Sequence, residues 1–291
     1  MNYFFDLSHF ALLEISGDDA RDFLHNQITA DLSLLEQREW LYSAWCMPNG
    51  RVICTFLLFQ MNNNFYLLLP SMLGEKIIKR LSMFILRSKV SIRDCSEDFT
   101  VLGFCGDSLH DFMNNLTTDI SGKNIILESN VRYIVIISNE YSETLYEKID
   151  KQFREGTRSQ WSLLDIEAGI PWITFNSSEQ YLPQMLNLDN TDGLSYKKGC
   201  YPGQEIIARL HYRGEVKKLL FRGTVQGHTT PGTGDKICDK SSNTVIGEIL
   251  DAEPTAENTF RFLAVCEKGS DSNRNLSLTE TDCQSLTLQP V

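Results

Sequence analysis

Cys200 lies in the stretch "KKGCYPGQEIIAR" (Lys197 to Arg209), between a lysine pair and a Pro-Gly turn. After Pro202-Gly203 come an early acid, Glu205, late bases, Arg209 and Arg213, and apolar residues at Ile206, Ile207 and Leu210. That order predicts a helix whose dipole is complemented at both ends. A thiol just before a helix N-terminus and beside Lys197 and Lys198 is in a setting that favours the thiolate, with Glu205 opposing. Such a group can attack a disulfide, carry sulfur or ligate iron. Gly199 and Gly203 leave the backbone around it open to a ligand. The bland alternative is a cysteine buried in a tight turn.

The other seven cysteines, Cys46, Cys54, Cys95, Cys105, Cys238, Cys266 and Cys283, are scattered, with no CxxC pair and no zinc or cluster spacing. They read as small core residues in a reducing compartment. No P-loop, dinucleotide GxGxxG, HExxH or GxSxG motif occurs. The five histidines are dispersed, and "GDSLH" at Gly106 lacks the closing glycine of a nucleophile elbow.

The chain has 291 residues and a formal net charge of -11, which disfavours a general nucleic-acid binder. One segment departs from that balance. Between Ser195 and Arg222 seven bases (Lys197, Lys198, Arg209, Arg213, Lys217, Lys218, Arg222) face two acids, a local +5. It reads either as a solvated basic face or as a seat for an anion. The N-terminus has no basic n-region and carries Asp6 and Glu14, so no signal peptide is expected, and the location implied is cytoplasmic. Val52 to Gly74 is uncharged, but its three asparagines and Pro70 argue for two buried strands joined by a turn rather than a membrane span.

These residues must be positioned by an α+β scaffold. The first lobe is expected over residues 1–95. It has a strand "HFALLEIS", a helix capped by Asp18 that buries Ala20, Phe23, Leu24 and Ile28, and three strands turning at Pro48-Asn49-Gly50 and at the asparagine triplet. A further helix places Leu73, Ile77, Leu81, Phe84 and Ile85 on one face. The second lobe, residues 96–215, pairs strands "FTVLGFCG" and "RYIVIIS" with helices "DSLHDFMNNL" and "SETLYEKIDKQFR" and carries the cysteine segment. The two lobes can exchange segments. Residues 216–291 show only short strands between turns such as "TTPGTGD" and "EPTAEN", which predicts a C-terminal β-barrel.

"KGCYPGQE" (Lys198 to Glu205) resembles the signature of the YgfZ family, folate-binding proteins of iron-sulfur cluster assembly related to the T-protein aminomethyltransferases of glycine cleavage. "LDIEAGIPWI", "YLPQMLNLDNTDGLSYKKGC", "ISGDDARDFLHNQITADL" and "CMPNGRV" are similar to family segments as well. The resemblance implies a cloverleaf of two interlocked α+β lobes and a C-terminal barrel that takes tetrahydrofolate or a derivative. It carries the functional thiol to Cys200 and a folate-contacting tryptophan to Trp161. The other family tryptophan falls on Phe10, which keeps a stacking face but lacks the indole N–H. Lys198, Tyr201, Gly203, Gln204, Glu205 and Arg209 follow as cofactor-contacting positions, with no metal ligands implied. The anionic glutamyl tail of folate gives the basic segment a role.

The transferase relatives carry an acidic pair after the glycine turn. Aligned on Gly50, that pair falls on Cys54 and Thr55, so the fixed negative charge for aminomethyl transfer is missing. The implied function is therefore an accessory factor for assembly or repair of clusters in four-iron enzymes, supporting tRNA modification indirectly. Its partners would be folate and iron-sulfur enzymes or assembly proteins, without direct nucleic-acid or membrane contact. The alternative is a tetrahydrofolate-dependent aminomethyl or one-carbon transferase using another acid, Asp189 or Glu167. A third reading is a folate-binding module in which Cys200 only fills space.

Overall fold

A computed structural model of the chain describes residues 1–107, 109–119, 124–129, 132–149, 152–270, 274–279 and 283–291. By contact the chain divides into two compact units that exchange segments. The first comprises Met1–Ala20, Leu35–Trp40 and Leu58–Trp161, the second Arg21–Leu34, Leu41–Leu57 and Ser162–Val291.

The elements begin with β1 (Tyr3–Asp6), β2 (Phe10–Ser16), α1 (Ala20–His25), β3 (Trp40–Cys46), β4 (Val52–Met61), β5 (Asn64–Pro70), α2 (Gly74–Ser82) and β6 (Ser91–Asp94). Then come β7 (Phe99–Cys105), α3 (Leu109–Asp119), β8 (Asn124–Ser129), β9 (Arg132–Ser138), α4 (Ser142–Ile149), β10 (Arg154–Glu155), α5 (Arg158–Ala168) and α6 (Gln204–Arg213). The chain closes with β11 (Lys218–Gly227), β12 (Lys236–Asp239), β13 (Thr244–Ala256), β14 (Thr259–Glu267), β15 (Leu276–Leu278) and β16 (Cys283–Pro290).

In the first unit one sheet has the order β10-β1-β7-β9-β8. Its central strands are buried runs, and Leu102, Phe104, Val135 and Ile137 pack against Leu109, Met113 and Leu116 of α3 and Leu145 of α4. Trp161 covers Gly103 so closely that a Cβ there would stand 2.5 Å from the indole. In the same unit β2 pairs antiparallel with β5 on one side and with β6 on the other. Asn62 (φ 51°) and Asn63 (φ 65°) make the turn into β5, as the asparagine triplet predicts. The uncharged stretch thus forms two strands. Among the described residues no helix is long and apolar enough to cross a membrane.

In the second unit β11 to β16 form one antiparallel sheet, order β15-β12-β13-β14-β11-β16, whose edge strands β15 and β16 approach one another. It is a curled half-barrel around Phe221, Ile237, Ile249, Phe262 and Leu288. "EPTA" is not a turn, because β13 runs through it with register shifts and reverses at Asn258 (φ 56°). Two helices also end earlier than the spacing predicts. Ile28 is buried beyond α1 through an isolated bridge to Trp45, and α2 stops at Ser82, leaving Phe84 45% exposed.

Candidate functional site

The cysteine segment is a loop braced by its own side chains. The Ser195 hydroxyl accepts from the backbone N–H of Lys197 (3.3 Å) and Lys198 (3.2 Å), and the Tyr201 hydroxyl donates to the Ser195 carbonyl (3.2 Å). The Gln204 amide donates to the Lys198 carbonyl (3.3 Å), closing the loop onto the first turn of α6. Cys200 is exposed at the outside of this loop, and nothing stands within 4 Å of where a Gly199 Cβ would be. Of the two readings of Cys200, the buried cysteine is therefore set aside. The other described cysteines are buried or intermediate, and burial pushes the Cys95 and Cys266 thiols up to about 12.

Gly203 caps α6 with φ 84°, and a Cβ on it would stand 2.6 Å from Gly50 Cα and 2.6 Å from the Met47 carbonyl oxygen. The turns of "CMPNGRV" and "CYPGQE" therefore meet backbone to backbone, so the glycines fix where Cys200 stands.

Lys198 faces inward. Its ammonium donates to the carbonyls of His25, Ile28 (2.8 Å) and Ala30 (2.9 Å), and it lies 5.3 Å from the Tyr201 ring centroid. It ties the cysteine loop to the chain leaving α1, so its charge is not presented to a ligand. Arg222 donates to the Glu167 carbonyl, whereas Lys197, Arg209, Arg213 and Lys217 are exposed. The +5 segment thus offers solvent a smaller cationic face than its composition suggests.

Burial lowers the Lys198 pKa from 10.5 to about 8, with Asp31 pulling the other way. Between about 8 and 10.5 the unfolded chain holds this proton while the folded chain releases it, so stability rises with pH across that window. The group's contribution is full above 10.5 and lost as pH falls through 8. Urea unfolding of wild type and Lys198→Met from pH 7 to 10.5 should show the wild-type advantage growing with pH; a pH-independent difference removes this account.

Of the remaining expected contacts, Tyr201 is buried, Glu205 is exposed in the first turn of α6 and Arg209 is exposed one turn later. Phe10 and Trp161 belong to the first unit. Phe10 is 5% exposed and lines a cleft of about 250 Å³ with Asp6, Ser8, Ser96 and Thr100. Trp161 is 1% exposed, tilted against Phe5 (5.3 Å) and under the Arg132 guanidinium (5.1 Å). Its indole N–H has no acceptor among the described residues.

Sequence reasoning missed a second group. The Tyr196 ring stacks on His211 at 3.8 Å and 16°. Its hydroxyl lies against Asp189 and Gln184, yet neither that hydroxyl nor the Gln184 side-chain oxygen has a hydrogen bond of ordinary geometry. Desolvation pushes the Tyr196 phenol up to about 12 and raises the Asp189 carboxyl, although Asp189 as a residue is exposed. No spacing announces a cluster drawn from residues 184 to 211.

The positions aligned with the relatives' acidic pair are closed. Cys54 and Thr55 are fully buried, and the Thr55 hydroxyl donates to the Pro171 carbonyl (3.0 Å) and accepts from the Ile173 N–H (3.0 Å). Tyr42 donates to the same carbonyl. A carboxylate there would face an acceptor already in use.

Residues 3–135 match the family model described as the GCVT N-terminal domain. The glycine cleavage system aminomethyltransferase T from Bartonella henselae matches with a TM-score of 0.77 over 100% of this chain and 85% of that one; at 14% identity this shows a common fold. The tRNA-modifying protein YgfZ of Buchnera aphidicola subsp. Schizaphis graminum is 30% identical over 286 residues, spanning 88% of this chain and 89% of that protein. The chain belongs to the YgfZ family. Its YgfZ relative in Colwellia psychrerythraea, also named a tRNA-modifying protein, is 32% identical over 75% of this chain and 70% of its own. The T-protein-like α+β fold expected from the sequence is thus present in a YgfZ-family chain.

Proposed function

We propose that this chain is a folate-binding accessory protein that supports assembly or repair of iron-sulfur clusters in four-iron enzymes, and through them tRNA modification. The observation that carries this reading is the exposed Cys200 on a self-braced loop, in a chain whose aligned acid positions are neutral and buried. Cys200 acts as the thiol that handles sulfur or iron or opens a mixed disulfide. The family names of the Buchnera and Colwellia relatives support the link to tRNA modification.

The orphaned polar atoms fit a pterin. In the second unit the Tyr196 hydroxyl and the Gln184 oxygen are buried without a hydrogen-bond partner among the described residues. Lys197, Arg209 and Arg213 remain for an anionic tail. When bound, tetrahydrofolate supplies a reduced pterin able to carry one-carbon units. Titration with tetrahydrofolate should show binding that Tyr196→Phe weakens by about three- to tenfold, the range of one neutral hydrogen bond. Equal affinity takes Tyr196 out of the site, and no binding to wild type removes folate from the reading. Restoration of tRNA methylthiolation in cells lacking their own copy tests the cluster role.

One observation favours a transferase. The Asp189 carboxyl is held above its ordinary value by desolvation, which suits proton exchange. Glu167, the other candidate, accepts from Arg261 and is already paired. Formation of methylenetetrahydrofolate from an aminomethyl donor by the purified chain, lost in Asp189→Asn, would replace the accessory reading.

A further inference from the structure

Between α5 and α6 the residues 178–182 form a strap, neither helix nor strand, that runs along the start of β4. It is laced to β4 by the Glu179 N–H to the Val52 carbonyl (2.7 Å), the Val52 N–H to the Tyr181 carbonyl (2.8 Å) and the Ser178 hydroxyl to the Ile53 carbonyl (2.8 Å). The Arg51 guanidinium adds a bond to the Gln180 carbonyl. Leu182 and α6 then take the Pro48-Asn49-Gly50 turn between them, since a Cβ on Gly50 would stand 3.2 Å from Leu182 and 3.3 Å from Ile207. The same turn meets the backbone of Gly203, so strap, turn and cysteine loop are in successive close contact.

The buried end of the strap is fixed by a hydrogen bond to the C-terminal sheet. Tyr181 is 4% exposed, and its hydroxyl donates to a Glu248 carboxylate oxygen at 2.5 Å. Glu248, on β13, keeps its second oxygen on Lys236, its cross-strand partner on β12. Each group completes the other: without Glu248 a buried hydroxyl loses its acceptor, and without the hydroxyl the strap keeps a ring but no directional tie to β13.

We infer that Tyr181 is a positioning residue for Cys200, and that the Tyr181–Glu248 bond is a clasp holding the cysteine loop in place through the strap and the Gly50 turn. This rests on the accessory reading above. A thiol that must meet a partner's sulfur or iron reacts from a defined place, and a misplacement of about 1 Å can cost about a hundredfold. Cys200 is exposed, so burial of its own side chain does not supply that placement. The loop is held from beneath, and close-packed contacts pass a displacement on because they have no slack.

Amide hydrogen exchange of the full chain, read by peptide mass spectrometry, tests this in wild type, Tyr181→Phe, Glu248→Leu and Glu248→Gln. Glutamine keeps an acceptor for the phenol, and Lys236 is exposed enough to swing aside. In Tyr181→Phe and Glu248→Leu the peptides holding Val52 and residues 198–207 should exchange about tenfold faster or more, the range of a hydrogen bond to a charged group, while those of β11 exchange as in wild type. Support of tRNA methylthiolation should fall at least about threefold in both, and Glu248→Gln should stay within about twofold of wild type in both measurements. Cysteine-loop exchange that is unchanged in Tyr181→Phe, or that rises equally in β11, overturns the proposal. So does full methylthiolation support by a Tyr181→Phe chain whose loop exchanges faster, or a Glu248→Gln chain as impaired as Glu248→Leu. If Glu248→Leu does not fold, Tyr181→Phe decides. A wild type that supports no methylthiolation overturns the accessory reading, and exchange still decides whether the clasp holds the loop.

Discussion

Cys200→Ala is expected to reduce support of tRNA methylthiolation more than about tenfold, to the level of cells without the protein, because no other cysteine among the described residues is exposed. Those other cysteines are buried or half-buried, Cys46 and Cys266 almost completely. The change should leave the fold intact, since an exposed side chain on a loop held by Ser195, Tyr201 and Gln204 contributes within about 0.5 kcal/mol of stability. Modified tRNA nucleosides are measured by mass spectrometry after matched expression of wild type and variant. Loss of function at unchanged melting temperature assigns the chemistry to the thiol. Full rescue by the alanine variant moves the function to the proposed folate site.

Gly203→Ala should be the most damaging single methyl in the cysteine segment. The alanine must hold φ 84°, which costs about 1–2 kcal/mol in the left-handed region. Its Cβ must also displace Gly50 Cα and the Met47 carbonyl, each 2.6 Å away. Both obstacles are backbone, so relief requires moving one turn from the other, and overpacking of that kind adds roughly 1–3 kcal/mol. A loss of about 3 kcal/mol and a fall in melting temperature of about 5–10 °C follow, with Cys200 displaced and methylthiolation support reduced. Gly199→Ala is the control: open space surrounds that position, and its stability should stay near wild type. If the two alanines behave alike, the close approach of the turns does not hold the cysteine loop.

The sequence by itself determined the local features. Helix α6 was legible from an acid early, bases late and a Pro-Gly start, and the β4–β5 turn from its asparagines, because caps and turns depend on residues a few positions apart. The family, and with it the T-protein-like fold, was legible in eight contiguous residues, "KGCYPGQE". The exposure of Cys200 was not, and neither was the direction of Lys198. The lysine pair reads as surface charge, yet one ammonium turns in to three carbonyls of a segment some 170 residues away in sequence. A buried cation goes where unpaired carbonyls wait, and only the folded backbone supplies them. The Tyr196–His211 stack and the neighbouring Gln184 are likewise products of tertiary contact. At Phe84 periodicity pointed to core while α2 ended at Ser82 and the chain turned outward at Leu86, because a hydrophobic pattern records which residues are apolar and not where the helix stops.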